Sequence, residues 1–377
     1  MNIHTPATSP NLARFFSKNS QKGVFFWILM FTAVFLWRLP NLNAFGLSND
    51  EGAHLMWAQL AVDGYTLYQE IHAVQSPLFL EFVTLAFRLL GPSIAAGRIT
   101  TLIGFIALAI ILSVLAYRAG GWIAACSAVL LLGASPLMFS LSRLVMAEIP
   151  ATAWAVLAVG LAYTAYESKR WHPGWFLAAG LALGLSFVTK ALHPFAVVPM
   201  GWLLLMKAYQ SQSGTFWRIF IINSMLVSVG TIVPMIAVPV IYGPEAVYDQ
   251  LIAFRGDLRA AIPGSWDETV THFTTFFDSH WGYGLLAGSG LLSLMFSRRE
   301  LRLYPIVWSL WLGAGVLMLL WHAPLFRHHF VVLLPPLILL GALGLAAATD
   351  FWHRVITRDK VAPWQWGGGI VITLMIA

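Results

Sequence analysis

The chain has 377 residues, of which 59% are hydrophobic and only 10% charged, against roughly 45–50% and 25% in an ordinary globular domain. The charged side chains, 22 basic and 16 acidic, are too few to cover a soluble fold of this length, and the mean hydropathy is +0.75. This excludes a cytosolic globular enzyme, a disordered protein and a nucleic-acid binder of the usual kind, despite a net charge of +6. The solvent for this chain is a bilayer, and the single cysteine, Cys126, leaves no internal disulfide to form.

A spanning helix needs about 20 mostly apolar residues. In chain order the apolar runs predict spans at 24–39, 94–117, 121–141, 150–166, 174–189, 194–209, 219–241, 281–296, 304–322 and 330–348, with a further short run beginning near 365. The fold class expected is all-α: a polytopic membrane protein of about 10–11 transmembrane helices. The first run is preceded by Arg14, Lys18 and Lys22 and lacks a small-residue cleavage site, so it reads as an uncleaved first helix. The segment 78–90 is too short to span and carries Glu81 and Arg88, which predicts an amphipathic interfacial helix. The organisation expected is a cytoplasmic segment 1–23 followed by one membrane domain, 24–377, with long external loops at about 40–93 and 242–280.

Orientation follows from the bias of Lys and Arg toward cytoplasmic loops. With the N-terminus inside, the internal segments hold 14 of the 22 basic residues, among them Arg118, Lys169, Arg170, Lys207, Arg218, Arg298, Arg299, Arg302, Arg354, Arg358 and Lys360. The acids do the reverse: Glu167, Glu300, Asp350 and Asp359 fall inside and 12 of 16 outside. The charge rule concerns cations alone, so acids gathered on one face need another reason.

The external segments carry the informative residues. The first opens Ser48-Asn49-Asp50-Glu51, a good helix start by capping and dipole, and predicts a helix over 51–62. It continues through Tyr65, Tyr68, Glu70 and His72 to Ser76-Pro77, then Gly91-Pro92-Ser93 and an Arg98-bearing span. Later come Ser135-Pro136, Ser142-Arg143 to Glu148-Ile149-Pro150, Thr189-Lys190, Gly243-Pro244 with Phe254-Arg255, and Arg327-His328-His329-Phe330 before Pro335-Pro336.

In this order and on one face, these elements resemble the polyprenyl-phosphate-sugar-dependent membrane glycosyltransferases. That superfamily includes the protein O-mannosyltransferases and the lipid A aminoarabinose transferases. The similarity covers roughly 24–348. It implies transfer of a sugar from a polyprenyl-phosphate carrier to a protein, lipid or envelope-glycan acceptor at the extracytoplasmic face of the cell membrane, with inversion.

Such chemistry needs a carboxylate to take the acceptor's proton and cations to hold the developing phosphate charge. By the resemblance Asp50 is the general base. Glu148 is the second acid, which orients the acceptor, pairs with a cation or helps hold a metal, and Glu51 is a neighbour or substitute for Asp50. Arg143, Lys190, Arg255 and Arg327 are the external cations, with His328 beside the last. Lys190 ends an apolar run where a lone ammonium is costly, although snorkelling to the interface accounts for it equally well. One departure is Gln75-Ser76-Pro77, where aminoarabinose-transferase relatives carry a lysine before the proline; His72 or a cation from another loop is the expected replacement.

No cofactor is required by this pattern, although Asp50 and Glu148 offer the hard oxygens that suit Mg²⁺ or Mn²⁺. His328 and His329 are adjacent and diverge on a helix, so they do not chelate one ion together. Most of the 17 tryptophans belong to the interfacial belt. The rival reading is a secondary transporter or lipid flippase of an amphipathic substrate, but transporters place ionisable groups near the midplane, and here the acids sit outside.

Overall fold

The structure is a computed structural model that describes residues 21–40, 42, 46–168, 172–211, 214–262, 264–293, 303–357 and 363–376. Most of the segment 1–23 lies outside the described residues, as do Arg14, Lys18, Lys169, Arg170, Arg298, Arg299, Glu300, Arg302, Arg358, Asp359 and Lys360. The described chain is α-helical, and its only bridge pairing is the isolated one between Leu67 and Ile71.

The helices are α1 Gln21–Leu36, α2 Asn49–Val62, α3 Pro77–Leu90, α4 Ile94–Ala134, α5 Pro136–Leu141, α6 Glu148–Glu167, α7 Pro173–Thr189 and α8 Val197–Tyr209. They continue as α9 Phe216–Tyr242, α10 Pro244–Tyr248, α11 Phe254–Ala261, α12 Trp266–Leu292, α13 Leu303–Trp321, α14 Leu334–Ile356 and α15 Pro363–Ile376. Among the described residues, five helical stretches are long and apolar enough to cross a membrane: 94–134, 148–167, 216–242, 303–321 and 327–356. The expected spans 24–39, 174–189 and 194–209 are shorter apolar helices.

Two boundaries differ from expectation. The runs 94–117 and 121–141 are joined as α4 across a backbone break at Gly120 and Gly121, the latter at φ 68°, a conformation glycine adopts without steric cost. The second run stops at Ala134 instead of 141. There the Ser135 hydroxyl accepts from Met138 N, and Pro136 opens the separate α5 because proline cannot continue a helix. α12 changes character at His280, whose φ of −132° breaks the helix between a polar half and the apolar half expected from 281.

Packing rests on close backbone approach, as expected between helices in lipid. α7 and α9 meet through glycines: a Cβ on Gly180 would lie 2.2 Å from the Val227 carbonyl oxygen, and one on Gly230 2.4 Å from that of Leu177. α12 meets α14 in the same way, with Gly290 against the Leu340 carbonyl. The buried apolar cluster runs from Val34 to Ala346 and includes Trp308 and Trp311. α3 is amphipathic, burying Phe79, Leu80, Val83 and Phe87 while Phe82, Leu85, Leu89 and Leu90 stay exposed. It lies against α2, α4 and α7 and roofs the ends of the helices that carry the site.

Candidate active site

The first external segment starts with a capped helix: the Ser48 hydroxyl accepts from Glu51 N at 3.2 Å. The two carboxylates that follow diverge at once. Asp50 is exposed, whereas Glu51 is fully buried. Glu51 takes the Arg98 guanidinium on both oxygens, at 2.7 Å each, and also accepts from Val145 N at 2.9 Å. With both oxygens engaged, Glu51 is a tie between α2, α4 and the 142–147 loop and not a substitute base for Asp50. One turn beyond Asp50, on the same face, His54 bonds the Val145 carbonyl through Nδ1 at 2.9 Å, while its buried Nε2 has no partner among the described residues. Burial pushes the His54 imidazole down to about 4, Lys190 lowers it further, and Glu148 and Asp50 oppose them. His54 is therefore neutral at physiological pH.

The 142–147 loop leads into Glu148, the first residue of α6 and fully buried. Glu148 pairs with the ammonium of Lys190, the residue that caps the C-terminal end of α7. The acid sits at a helix N-terminus and the cation at a helix C-terminus, so both macrodipoles favour the pair. His328 Nε2 lies 3.4 Å from the same carboxylate oxygen, and the second oxygen has no partner among the described residues. Lys190 is thus paired and buried, which corrects the snorkelling alternative. The charge of Asp50 acts on both His54 and His328, as the weakest of the influences on each. The His322 and His328 rings each stand perpendicular to that of His329, with centroids 4.5 Å apart.

A second wall comes from the later external segment. Arg255 and Arg259, one turn apart on α11, reach toward the Val74 carbonyl (3.5 Å) and the Trp321 carbonyl (3.3 Å). His72 is exposed and packs its ring on Phe254 at 6.0 Å, beside Arg255. His322 lies where these cations converge: burial pushes it down to about 4, with Arg259, Arg255 and Lys190 each lowering it further. The two loops are stitched together. Gln250 donates to the Tyr68 carbonyl at 2.6 Å and accepts from Ala73 N at 2.8 Å, and Tyr242 donates to Glu81 at 2.7 Å. Tyr68, at φ 65°, donates its hydroxyl to the Gln75 carbonyl at 2.5 Å. A tyrosine held in the left-handed region is uncommon.

Of the residues singled out from sequence, Glu148, Lys190 and His328 come together, Asp50 acts on His328 through its charge, and Arg255 and His72 stand together on the second wall. Arg143 does not join them: it donates to the Pro40 carbonyl at 2.6 Å and stacks over Phe139 at 5.2 Å. Arg327 is exposed and its charge acts on His280. No role was read from sequence for His54 or Arg259, and His322 was weighed only as a metal ligand beside His328 and His329. Their signal was one-turn spacing from Asp50 and Arg255, and an external histidine beside a helix end.

Glu148 already carries an ammonium on one oxygen, and among the described residues no three His, Cys, Asp or Glu side chains converge as ligands.

Comparison with known proteins agrees with the sequence resemblance. Residues 74–242 match the family described as dolichyl-phosphate-mannose-protein mannosyltransferase. No curated protein matches the chain. Among solved structures, ArnT from Cupriavidus metallidurans bound to undecaprenyl phosphate superposes with a TM-score of 0.66 at 14% identity, covering 95% of this chain and 64% of that one. The oligosaccharyltransferase AglB from Archaeoglobus fulgidus, in complex with an inhibitory peptide and a dolichol-phosphate, gives 0.57 at 12% identity, covering 95% of this chain and 55% of that one. The chain therefore spans less than two thirds of the length of either relative. The mannosyltransferase match covers 74–242, and the likeness to ArnT and AglB shows a shared fold.

Proposed function

We propose that the protein is an integral membrane glycosyltransferase that moves a sugar from a polyprenyl-phosphate carrier to an acceptor on the extracytoplasmic side. The observation that carries this reading is the buried Glu148–Lys190 pair with His328 on the same carboxylate, where His54 and His328 feel the charge of the exposed Asp50 and His322 that of Arg255 and Arg259. Acceptors in keeping with this chemistry are a hydroxyl of a protein, lipid or envelope glycan. Asp50 accepts the hydroxyl proton as the acceptor oxygen attacks the anomeric carbon; the carbon–phosphate oxygen bond breaks on the opposite face, which inverts the centre. The leaving phosphate carries off the bonding electrons, and Arg255 and Arg259 hold its charge. His72 and His328 flank donor and acceptor, and the Glu148–Lys190 pair fixes the floor between them. No step is routed through a metal.

The test is incubation of purified protein with a panel of isoprenoid-phosphate sugars and candidate acceptors, with carrier and product read by mass spectrometry. Carrier turnover with a glycosylated product supports the reading. Movement of a labelled lipid across vesicles without turnover of any carrier overturns it in favour of a transporter.

A further inference from the structure

Beneath the Glu148–Lys190 pair lies a buried polar knot that the chemistry above does not use. His193 is fully buried between α7 and α8, flanked by the Phe195 and Trp311 rings. Its Nε2 lies 3.1 Å from the Thr152 hydroxyl and its Nδ1 3.3 Å from the Ser186 hydroxyl. Thr152 in turn donates to the Glu148 carbonyl at 2.7 Å, and Ser186 donates to the Ala151 carbonyl at 2.9 Å. The Ser186 carbonyl accepts from Lys190 N at 2.9 Å. One imidazole therefore ties the first turn of α6, which carries Glu148, to the last turn of α7, which positions Lys190.

We infer that His193 is a positioning residue that sets the register of Glu148 against Lys190 through Thr152 and Ser186. Proton counting sharpens this. The knot has four contacts: imidazole to each hydroxyl, and each hydroxyl to a carbonyl. Each hydroxyl supplies one proton and a neutral imidazole one more, so one contact lacks a proton. Burial pushes His193 down to about 3, with Glu148 opposing and Lys190 adding to the effect, so the ring is neutral. The shortest contacts keep their protons, which puts hydrogen on Nε2 facing Thr152. The bare Nδ1 then faces Ser186, across the longest contact. A fully buried histidine with both nitrogens on hydroxyls that grip a neighbouring helix is costly to retain for packing alone, where a phenylalanine would fill the same space.

The functional part of this inference rests on the glycosyltransferase reading, so its main readout is independent of turnover. Lys190 is acylated with a water-soluble succinimidyl ester and its peptide quantified by mass spectrometry. In the parent Lys190 is protected. In His193→Phe its labelling rises about tenfold, and in His193→Gln, whose amide can donate to Thr152 as the imidazole does, it stays within about threefold of the parent. Thr152→Val, which keeps the shape and removes one hydroxyl, raises it as well and serves should His193→Phe not fold. ¹⁵N spectra of histidine-labelled protein report hydrogen on Nε2. Equal Lys190 labelling in the parent, Thr152→Val and any folded His193→Phe overturns the inference, and hydrogen on Nδ1 overturns the proton assignment. Where the donor panel gives turnover, His193→Phe lowers kcat with little change in donor KM and adds nothing in a Lys190→Gln background. Where the parent gives none, the proposed function fails and the labelling still decides the role of His193.

Discussion

Glu51 and Arg98 form a bidentate ion pair in which both side chains are wholly buried. Two adjacent carboxylates thereby take opposite fates: Glu51 is spent inside the fold and Asp50 is left to solvent. Removing one partner strands the other charge, which costs about 3–5 kcal/mol for a buried pair. Arg98→Met alone and Glu51→Leu alone should therefore each lower the thermal midpoint in detergent strongly, while the double variant recovers part of the loss. A double variant as unstable as the sum of the singles would contradict a coupled pair.

Asp50→Asn keeps the size and the helix start but removes the base. Sugar transfer should fall by about 10²–10⁴-fold, with insertion and thermal midpoint close to the parent. Retained transfer would remove Asp50 from the mechanism.

Arg259→Gln tests the second wall. Because Arg259 and Arg255 converge on His322, loss of Arg259 should raise the KM for the phosphate-linked donor about tenfold, as expected for a lost charge-assisted contact of roughly 1.5 kcal/mol. The KM for the acceptor should stay near its parent value. Equal increases for both substrates would point to a general distortion.

His54 makes stability depend on pH with a definite sign. Its folded pKa of about 4 lies below the ordinary histidine value of 6.5, so between those values the unfolded chain binds the extra proton. Stability is then full above about pH 6.5 and declines as pH falls toward 4, by an amount on the order of 3 kcal/mol. His54→Asn, whose amide can still donate to the Val145 carbonyl, should flatten the thermal midpoint between pH 6.5 and 4. An unchanged slope would assign the effect to other groups.

Gly180 tests the α7–α9 contact. With a Cβ 2.2 Å from a backbone oxygen, Gly180→Ala has no flexible neighbour to displace and should cost about 1–3 kcal/mol. Gly201→Ala, where nothing lies within 4 Å, is the control and should leave the thermal midpoint unchanged.

The helical architecture was legible in hydropathy because lipid demands long apolar runs, and Ser76-Pro77 announced α3 through its fixed backbone angle. The end of α4 was misread because Ser135 and Pro136 sit inside a continuous apolar run, where hydropathy gives no sign of a break. In the site, charge sorted by side pointed to Asp50, Glu148 and Lys190. It did not separate Asp50 from Glu51, because the partner that removes Glu51 is Arg98, 47 residues away. Arg143 and Arg327 were singled out by resemblance and by sidedness, and neither says which way a long side chain turns.

The length of α9 has a consequence for how a lipid-borne donor would meet the site. Its 27 residues rise about 40 Å, some 10 Å more than the hydrocarbon core of a bilayer. Trp217 and Arg218 suit an interfacial anchor at its beginning; were α9 to stand with little tilt, the surplus would emerge at Tyr242 and carry α10 and α11 into the headgroup layer. Arg255 and Arg259 would then stand at the depth of a carrier's own phosphate. A polyprenyl donor would keep its tail in the hydrocarbon and be gripped at its native altitude, without being drawn out of the membrane first.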